Sequence, residues 1–134
     1  MPSKQSCCCG GDKVVMTVAC SGRSNTGQLT NDAAKLIDRT GTARFVCLAA
    51  IGAEDPEVTD LAKCAGRLLV LDGCEKACAR KIMEKAGFRE FVHLDVTQLG
   101  IEKRLDSRYS DGQLQTVIAA AERLSAGMPL EVRP

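Results

Sequence analysis

The sequence predicts an α/β domain: a small doubly wound parallel sheet, Rossmann-like or flavodoxin-like, with about four strands and helices on both faces. Three observations support this prediction. Short apolar runs alternate with amphipathic stretches of helical period along the 134-residue chain. The apolar runs are hydrophobic almost throughout, as strands buried on both faces are. Right-handed crossovers between parallel strands then leave few other topologies.

The first half of the predicted domain holds two strands, each followed by a helix. Residues 14–19 and 43–49 are apolar runs and are predicted to be buried strands. Between them, four apolar residues share one face of a predicted helix that Gly41 can end: Leu29, Ala33, Leu36 and Ile37. After the second strand, Pro56 suits the first turn of a short helix that runs to about residue 65.

The second half repeats this pattern. Residues 67–71 are predicted to be the third strand. Residues 74–86 form the clearest helix of the chain, because their apolar side chains share one face and Gly87 follows them. Residues 90–96 are predicted to be the fourth strand, and a last helix is predicted over residues 112–125. The alternation of strand and helix therefore continues to the end of the domain.

Length and composition indicate one domain with two tails. A chain of this size fits one domain, and 45% apolar with 26% charged residues is a globular balance. We predict a flexible cysteine-rich N-terminal tail over residues 1–13. A single α/β domain follows over residues 14–126, and a C-terminal tail over residues 127–134.

The charge and hydropathy of the chain argue against two classes of partner. Formal net charge is +1 and aromatic residues are 3% of the chain, so nucleic-acid binding is not expected. No apolar run approaches the length of a membrane helix, and residues 1–13 lack the apolar segment of a signal peptide. We therefore expect a cytoplasmic protein without a nucleic-acid or membrane partner.

Cysteine content is the most unusual property of the sequence. The eight cysteines are Cys7, Cys8, Cys9, Cys20, Cys47, Cys64, Cys74 and Cys78. Disulfide frameworks are typical of small secreted chains that cannot build a core. This chain is expected to be cytoplasmic and is long enough to bury a core. In a reducing compartment, so many cysteines indicate metal binding or thiol chemistry.

Four cysteines fall near the carboxyl ends of predicted strands. Cys20 ends the first strand, Cys47 lies late in the second, Cys74 follows the third, and Cys78 lies one helical turn further on. These ends converge if the first strand is central, and doubly wound sheets bind ligands there. A helix start also favours thiolates at Cys74 and Cys78. We therefore predict that these four cysteines bind a metal ion, zinc first, with another soft metal or an Fe–S cluster as alternatives.

Three further features give weaker evidence of a functional site. The loop Ser21–Gly27 is rich in Gly, Ser and Asn, as anion-binding nests are. The same residue types also cap helices. Low-molecular-weight phosphatases place Arg six residues after their cysteine, whereas Arg23 comes three after Cys20, which argues against that chemistry. His93 is better explained as a satisfied or partly exposed strand residue than as a ligand. Cys64, on a short helix before a glycine, is better explained by packing.

Two alternative functions stay open from the residues alone. One is a cysteine-based thiol or redox enzyme that uses the Ser21–Gly27 loop to hold an anion. The other is a carrier of a soft metal or metalloid that uses the thiols of Cys7, Cys8 and Cys9. No catalytic residue is assigned, and whether the protein is an enzyme is left undecided.

The tripeptide Asp72-Gly73-Cys74 and three other segments resemble the DGC-domain family, whose members are expected to bind zinc. The other matching segments are residues 19–29, 45–52 and 96–103. The resemblance extends over about residues 14–126. The resemblance implies a protein whose cysteines bind a metal ion and for which no reaction is established. The cysteines of the family's motifs correspond to Cys20, Cys47, Cys74 and Cys78, the same four residues. Cys64 and the cysteines of residues 7–9 are not features of the family.

Overall fold

A computed structural model describes residues 14–130 and shows a four-stranded, all-parallel sheet with helices on both faces. The strands are β1 (Val15–Ala19), β2 (Arg44–Phe45), β3 (Arg67–Asp72) and β4 (Val92–Asp95). The helices are α1 (Asn25–Arg39), α2 (Leu48–Gly52), α3 (Pro56–Lys63), α4 (Cys78–Lys85) and α5 (Asp111–Ser125), and a 3-10 helix (Val96–Leu99) follows β4. The predicted α/β fold is confirmed.

Two apolar layers cover the sheet. On one face, Leu69 and Leu71 of β3 pack with residues of α1 and α5, among them Ile37. On the other face, Leu68 and Val70 pack with residues of α2, α3 and α4. Because alternate side chains of β3 enter different layers, this strand is apolar at nearly every position.

The strand order is β2-β1-β3-β4, so the chain reverses its direction across the sheet between β1 and β3. β1 leads through α1 to β2 on one side, and β3 then pairs with β1 on the other side. In sheets of this kind, the crevice outside the carboxyl ends of the strands at such a reversal is where ligands bind. Cys20 and Cys74 follow the two strands that flank it.

Two predicted elements are shorter than the sequence pattern suggested. The strand predicted over residues 43–49 ends at Phe45, and Cys47 is the N-cap of α2 rather than a strand residue. The helix predicted from Cys74 begins at Cys78. Residues 74–77 form a turn in which the Ala77 N–H bonds to the Cys74 carbonyl at 3.0 Å, and Ala77 has a left-handed φ of 53°. That backbone conformation cannot continue a right-handed helix, so α4 starts after it.

Parts of the predicted tails lie outside the described residues. These parts are residues 1–13, with Cys7, Cys8 and Cys9, and residues 131–134. The carrier hypothesis depends on the first of these segments. Among the helices that the structure describes, none has the length and apolar character needed to cross a membrane.

Candidate thiolate site

Three of the four predicted ligands lie near the reversal between β1 and β3. Cys20 continues β1, and its N–H bonds to the carbonyl of Leu71 in β3 at 2.8 Å. Burial raises the pKa of the Cys20 thiol; a hydrogen bond from the Gly73 backbone opposes that rise, and negative charge at Asp72, Cys78 and Cys74 adds to it. Cys74 and Cys78 therefore lie close enough to Cys20 for their charge to act on its thiol.

Gly73 allows the loop after β3 to approach α1 closely. A Cβ on this residue would lie 2.9 Å from the Gly27 nitrogen and 3.1 Å from the Gly27 Cα. Both contacts are to main-chain atoms, which cannot rotate away as a flexible side chain can. The glycine before Cys74 is thus required by packing, because it lets the Cys74 loop rest on the first turn of α1.

Asp72 holds the start of α4. Its carboxylate is buried and accepts hydrogen bonds from the N–H groups of Ala79 at 2.8 Å and Arg80 at 3.0 Å. His93 Nε2 lies 2.8 Å from the same carboxylate. Asp72 therefore satisfies N–H groups that α4 leaves unpaired and fixes the position of Cys78. His93, 22% exposed at its side chain, is the satisfied strand residue that its position predicted.

Asn25 attaches the loop of residues 100–110 to the start of α1. Its side chain donates to the Glu102 carbonyl at 2.9 Å and accepts from the Arg104 N–H at 2.6 Å. Between those two residues, Lys103 places its Nζ 3.3 Å from Cys74 Sγ. Sequence reasoning missed Lys103 and the role of Asn25, since no periodic pattern connects residues so far apart.

Cys47 lies on the β2 side of the site and is exposed. Its sulfur accepts a hydrogen bond from the Ala50 N–H at 3.4 Å and thereby caps α2. It also lines a cleft of about 520 Å³ together with Ala19 and Ser21, the two neighbours of Cys20. The structure thus places Cys47 beside the cleft next to Cys20, and apart from the group that surrounds the Cys20 thiol.

The loop Ser21–Gly27 supplies the cap of α1. The Ser24 hydroxyl accepts a hydrogen bond from the Gly27 N–H at 3.0 Å, and Asn25 and Thr26 are buried at the helix start. The capping interpretation of this loop is confirmed. Anion binding by the loop stays a prediction.

The thiols are neighbours without forming a closed coordination sphere. Within residues 14–130, no three Cys, His, Asp or Glu side chains are arranged to hold a metal ion. The donor chemistry nonetheless suits a soft ion, because every predicted ligand is a thiol. Cys47 and Cys78 are exposed, so closure would require rotation of surface side chains rather than repacking of the core.

Comparison with known proteins agrees with the motif analysis. The DGC domain model matches residues 16–121, a segment that includes Cys20, Cys47, Cys74 and Cys78. The chain belongs to the DGC domain family. It is also similar to the Anaerobic and virulence modulator AnvM of Pseudomonas aeruginosa, with 30% identity over 113 residues that span 84% of this chain and 86% of that protein. No solved structure matches it.

In this DGC domain the three motif residues have different tasks. Asp72 accepts the N–H groups at the start of α4, Gly73 permits the contact with α1, and Cys74 provides a thiol beside Lys103. Asp72 and Gly73 therefore help to position cysteines, whereas Cys74 is itself a candidate ligand.

Proposed function

We propose that this domain binds one soft metal ion, zinc in the first place, through the thiolates of Cys20, Cys74 and Cys78, with Cys47 as the fourth ligand. The observation that carries the proposal is that Cys74 and Cys78 lie close enough to Cys20, where the sheet reverses between β1 and β3, for their charge to act on its thiol. Thiolates are the soft ligands that zinc takes in closed tetrahedral sites. We also propose that the domain works in the cytoplasm, where thiols stay reduced.

The surrounding residues suit a site rich in negative charge. Binding requires each thiol to lose its proton, and burial together with neighbouring negative charge makes this costly for Cys20 alone. The positive charge of a metal ion removes that cost, and Lys103 places an ammonium 3.3 Å from Cys74 Sγ. Cys78, at the first position of α4, and Cys47, at the N-cap of α2, also lie where a helix favours negative charge.

The number of cysteine ligands decides what the site can do. Four thiolates close the coordination sphere and make a structural, sensing or carrier site. Three thiolates leave one position open for water or substrate, which supports catalysis. Cys47, the cysteine outside the group around Cys20, is the residue on which this choice depends.

Metal content of the full chain, purified untagged under reducing conditions, tests the proposal. Wild-type protein should contain about one zinc ion per chain by mass spectrometry. Cys74→Ser should lose nearly all of it, and the matched control Cys64→Ser should keep it. A full equivalent of zinc in Cys74→Ser would contradict the proposal.

Cobalt replacement then separates the three-ligand and four-ligand arrangements. Four thiolates around cobalt(II) give intense visible bands and strong sulfur-to-metal charge-transfer absorption. Cys47→Ser should weaken the charge-transfer absorption and lower the affinity if Cys47 is a ligand. Unchanged spectra in Cys47→Ser would assign the site to three cysteines and leave an open position.

One contact favours a second candidate function, thiol chemistry at Cys74. Lys103 Nζ lies 3.3 Å from Cys74 Sγ, and a lysine ammonium beside the sulfur is typical of reactive cysteines. A metal-free protein in which Cys74 is alkylated much faster than Cys47 would support this function. The relative AnvM is named a modulator linked to anaerobic conditions and virulence, and a regulatory role that depends on the oxidation state of thiolates is consistent with either candidate.

A further inference from the structure

We propose that the cleft beside Cys47 binds a small uncharged organic molecule that has an apolar body and an amide or hydroxyl group. The cleft has a volume of about 520 Å³, which is typical of pockets that hold small molecules. It is bordered by the end of β1 and by residues of α1, α2 and α4. Protein atoms alone form the cleft, so this site does not depend on the proposed metal binding.

The early end of β2 leaves the space for this cleft. β2 pairs with β1 at Arg44 and Phe45, opposite Met16 and Thr17, and so stops two residues before β1 ends at Ala19. The chain then leaves the sheet and enters α2. A gap therefore stays open beside the last residues of β1, where a longer strand would have extended the sheet.

The lining of the cleft is uncharged and mainly apolar. Phe45, Leu48 and Ile82 contribute large apolar side chains, and the described residues that line the cleft include no Asp, Glu, Lys or Arg. A charged molecule would lose hydration here without meeting an opposite charge in the lining, which disfavours its binding. The lining therefore favours an uncharged molecule with apolar surface.

Two neutral polar side chains, those of Ser21 and Asn31, also line the cleft. Neither has a hydrogen-bond partner among the residues that the structure describes. A hydroxyl can donate and accept, and a carboxamide offers an oxygen acceptor and N–H donors. Together they can pair with the amide or hydroxyl group of a ligand whose apolar part lies against Phe45, Leu48 and Ile82.

Three probes of similar size test the chemistry of the ligand. 2-Naphthamide is neutral, 2-naphthoate is an anion, and 2-naphthylmethylammonium is a cation. Each is titrated into ¹⁵N-labelled full-length protein, purified under reducing conditions, and followed by backbone NMR. We expect 2-naphthamide to shift the signals of Asn31, Cys47 and Ala49 with a Kd of about 1 mM or lower, and the charged probes to bind about tenfold more weakly or worse. No shifts with 2-naphthamide at these residues, or equal affinity for all three probes, would overturn the proposal.

Variants of the lining locate the bound probe. Ala49→Phe adds a large side chain to the lining and should weaken 2-naphthamide binding by about tenfold or more. Ala53→Phe, the same change at an exposed residue outside the lining, is the matched control and should bind as wild type does. Asn31→Leu keeps the size of the side chain but removes its hydrogen bonds, so affinity should fall by about three- to tenfold. Wild-type affinity in both Ala49→Phe and Asn31→Leu would overturn the proposal.

Protection of a thiol gives a second measurement that needs no variant. Cys47 and Cys78 are both exposed, and of the two only Cys47 lines the cleft. Saturating 2-naphthamide should slow alkylation of Cys47 by N-ethylmaleimide by about threefold or more in metal-free protein, while Cys78 reacts as before. The tryptic peptides of residues 45–63 and 77–80 each contain one of these cysteines and report its rate by mass spectrometry. An unchanged rate at Cys47, or equal slowing at both cysteines, would overturn the proposal.

Discussion

The two edges of the sheet both carry cysteines but hold them in different ways. At the carboxyl edge, a buried carboxylate and a main-chain contact set the positions of Cys74 and Cys78. At the amino edge, Cys64 is the C-cap of α3, and its Sγ lies 3.4 Å from the Asp60 carbonyl oxygen. A metal site needs several donors fixed at once. The surroundings of the carboxyl-edge cysteines therefore suit metal binding better than those of Cys64.

Of the changes considered, added zinc should alter the free energy of unfolding most, and this gain should depend on Cys74 and not on Cys64. If metal binds only the folded protein, free zinc at about a thousand times its Kd raises the free energy of unfolding by about 4 kcal/mol. We expect this gain in wild type and in Cys64→Ser, and its loss in Cys74→Ser. Urea denaturation with buffered zinc measures it. An equal gain in Cys74→Ser would show that zinc acts elsewhere on the chain.

The contact at Gly73 should give the next largest effect. Gly73→Ala forces a Cβ to 2.9 Å from the Gly27 nitrogen, so the main chain must shift. We expect a loss of about 2 kcal/mol in the free energy of unfolding, together with weaker metal binding. Gly22→Ala is the matched control, because a Cβ there meets nothing within 4 Å. Equal stability of the two variants would show that the close approach to α1 is not needed.

The sequence could predict the sheet and the edge at which Cys20 and Cys74 lie, but not the finer geometry. The alternation of Leu69 and Val70 between two apolar layers is visible as a continuous apolar run, and strand ends in a parallel sheet share one edge. Cys47 was misplaced because an apolar run does not show where strand pairing stops, and β2 ends two residues earlier. The placement of Lys103 depends on Asn25, which bonds to a residue 79 positions away.

Lys103 should have a moderate effect that is confined to the carboxyl edge. A partly exposed charge pair contributes about 0.5 kcal/mol, so Lys103→Met should slow alkylation of Cys74 in metal-free protein by about two- to threefold near neutral pH. The rate is followed on the tryptic peptide of residues 68–76, which contains Cys74 as its one cysteine. Lys81→Met, which removes an exposed lysine of α4, is the matched control. Equal rates in both variants would remove Lys103 from the site.

Tyr109 reports on the far end of the loop that carries Lys103, where we expect the smallest effect on the thiols. Its hydroxyl donates to the Asp32 carboxylate of α1, and that hydrogen bond, with some burial, raises the pKa of Tyr109 to about 12. The ordinary value is about 10. The folded state thus holds the phenol proton more tightly, so this contribution to stability is complete below pH 10 and is lost as pH rises towards 12.

The titration of Tyr109 can be followed by absorbance without overlapping signals, because the chain has one tyrosine and no tryptophan. Near-ultraviolet absorbance of the phenolate should show Tyr109 less ionised at pH 10.5 than a free tyrosine amide, by about tenfold or more in its ionisation ratio. Asp32→Asn should bring the pKa back towards 10, while Lys103 stays beside Cys74 through the separate bonds of Asn25. An unchanged alkylation rate of Cys74 in Asp32→Asn would show that Asn25 alone positions the lysine. A large change would show that the whole loop, from residue 100 to residue 110, moves as one unit and belongs with the carboxyl edge.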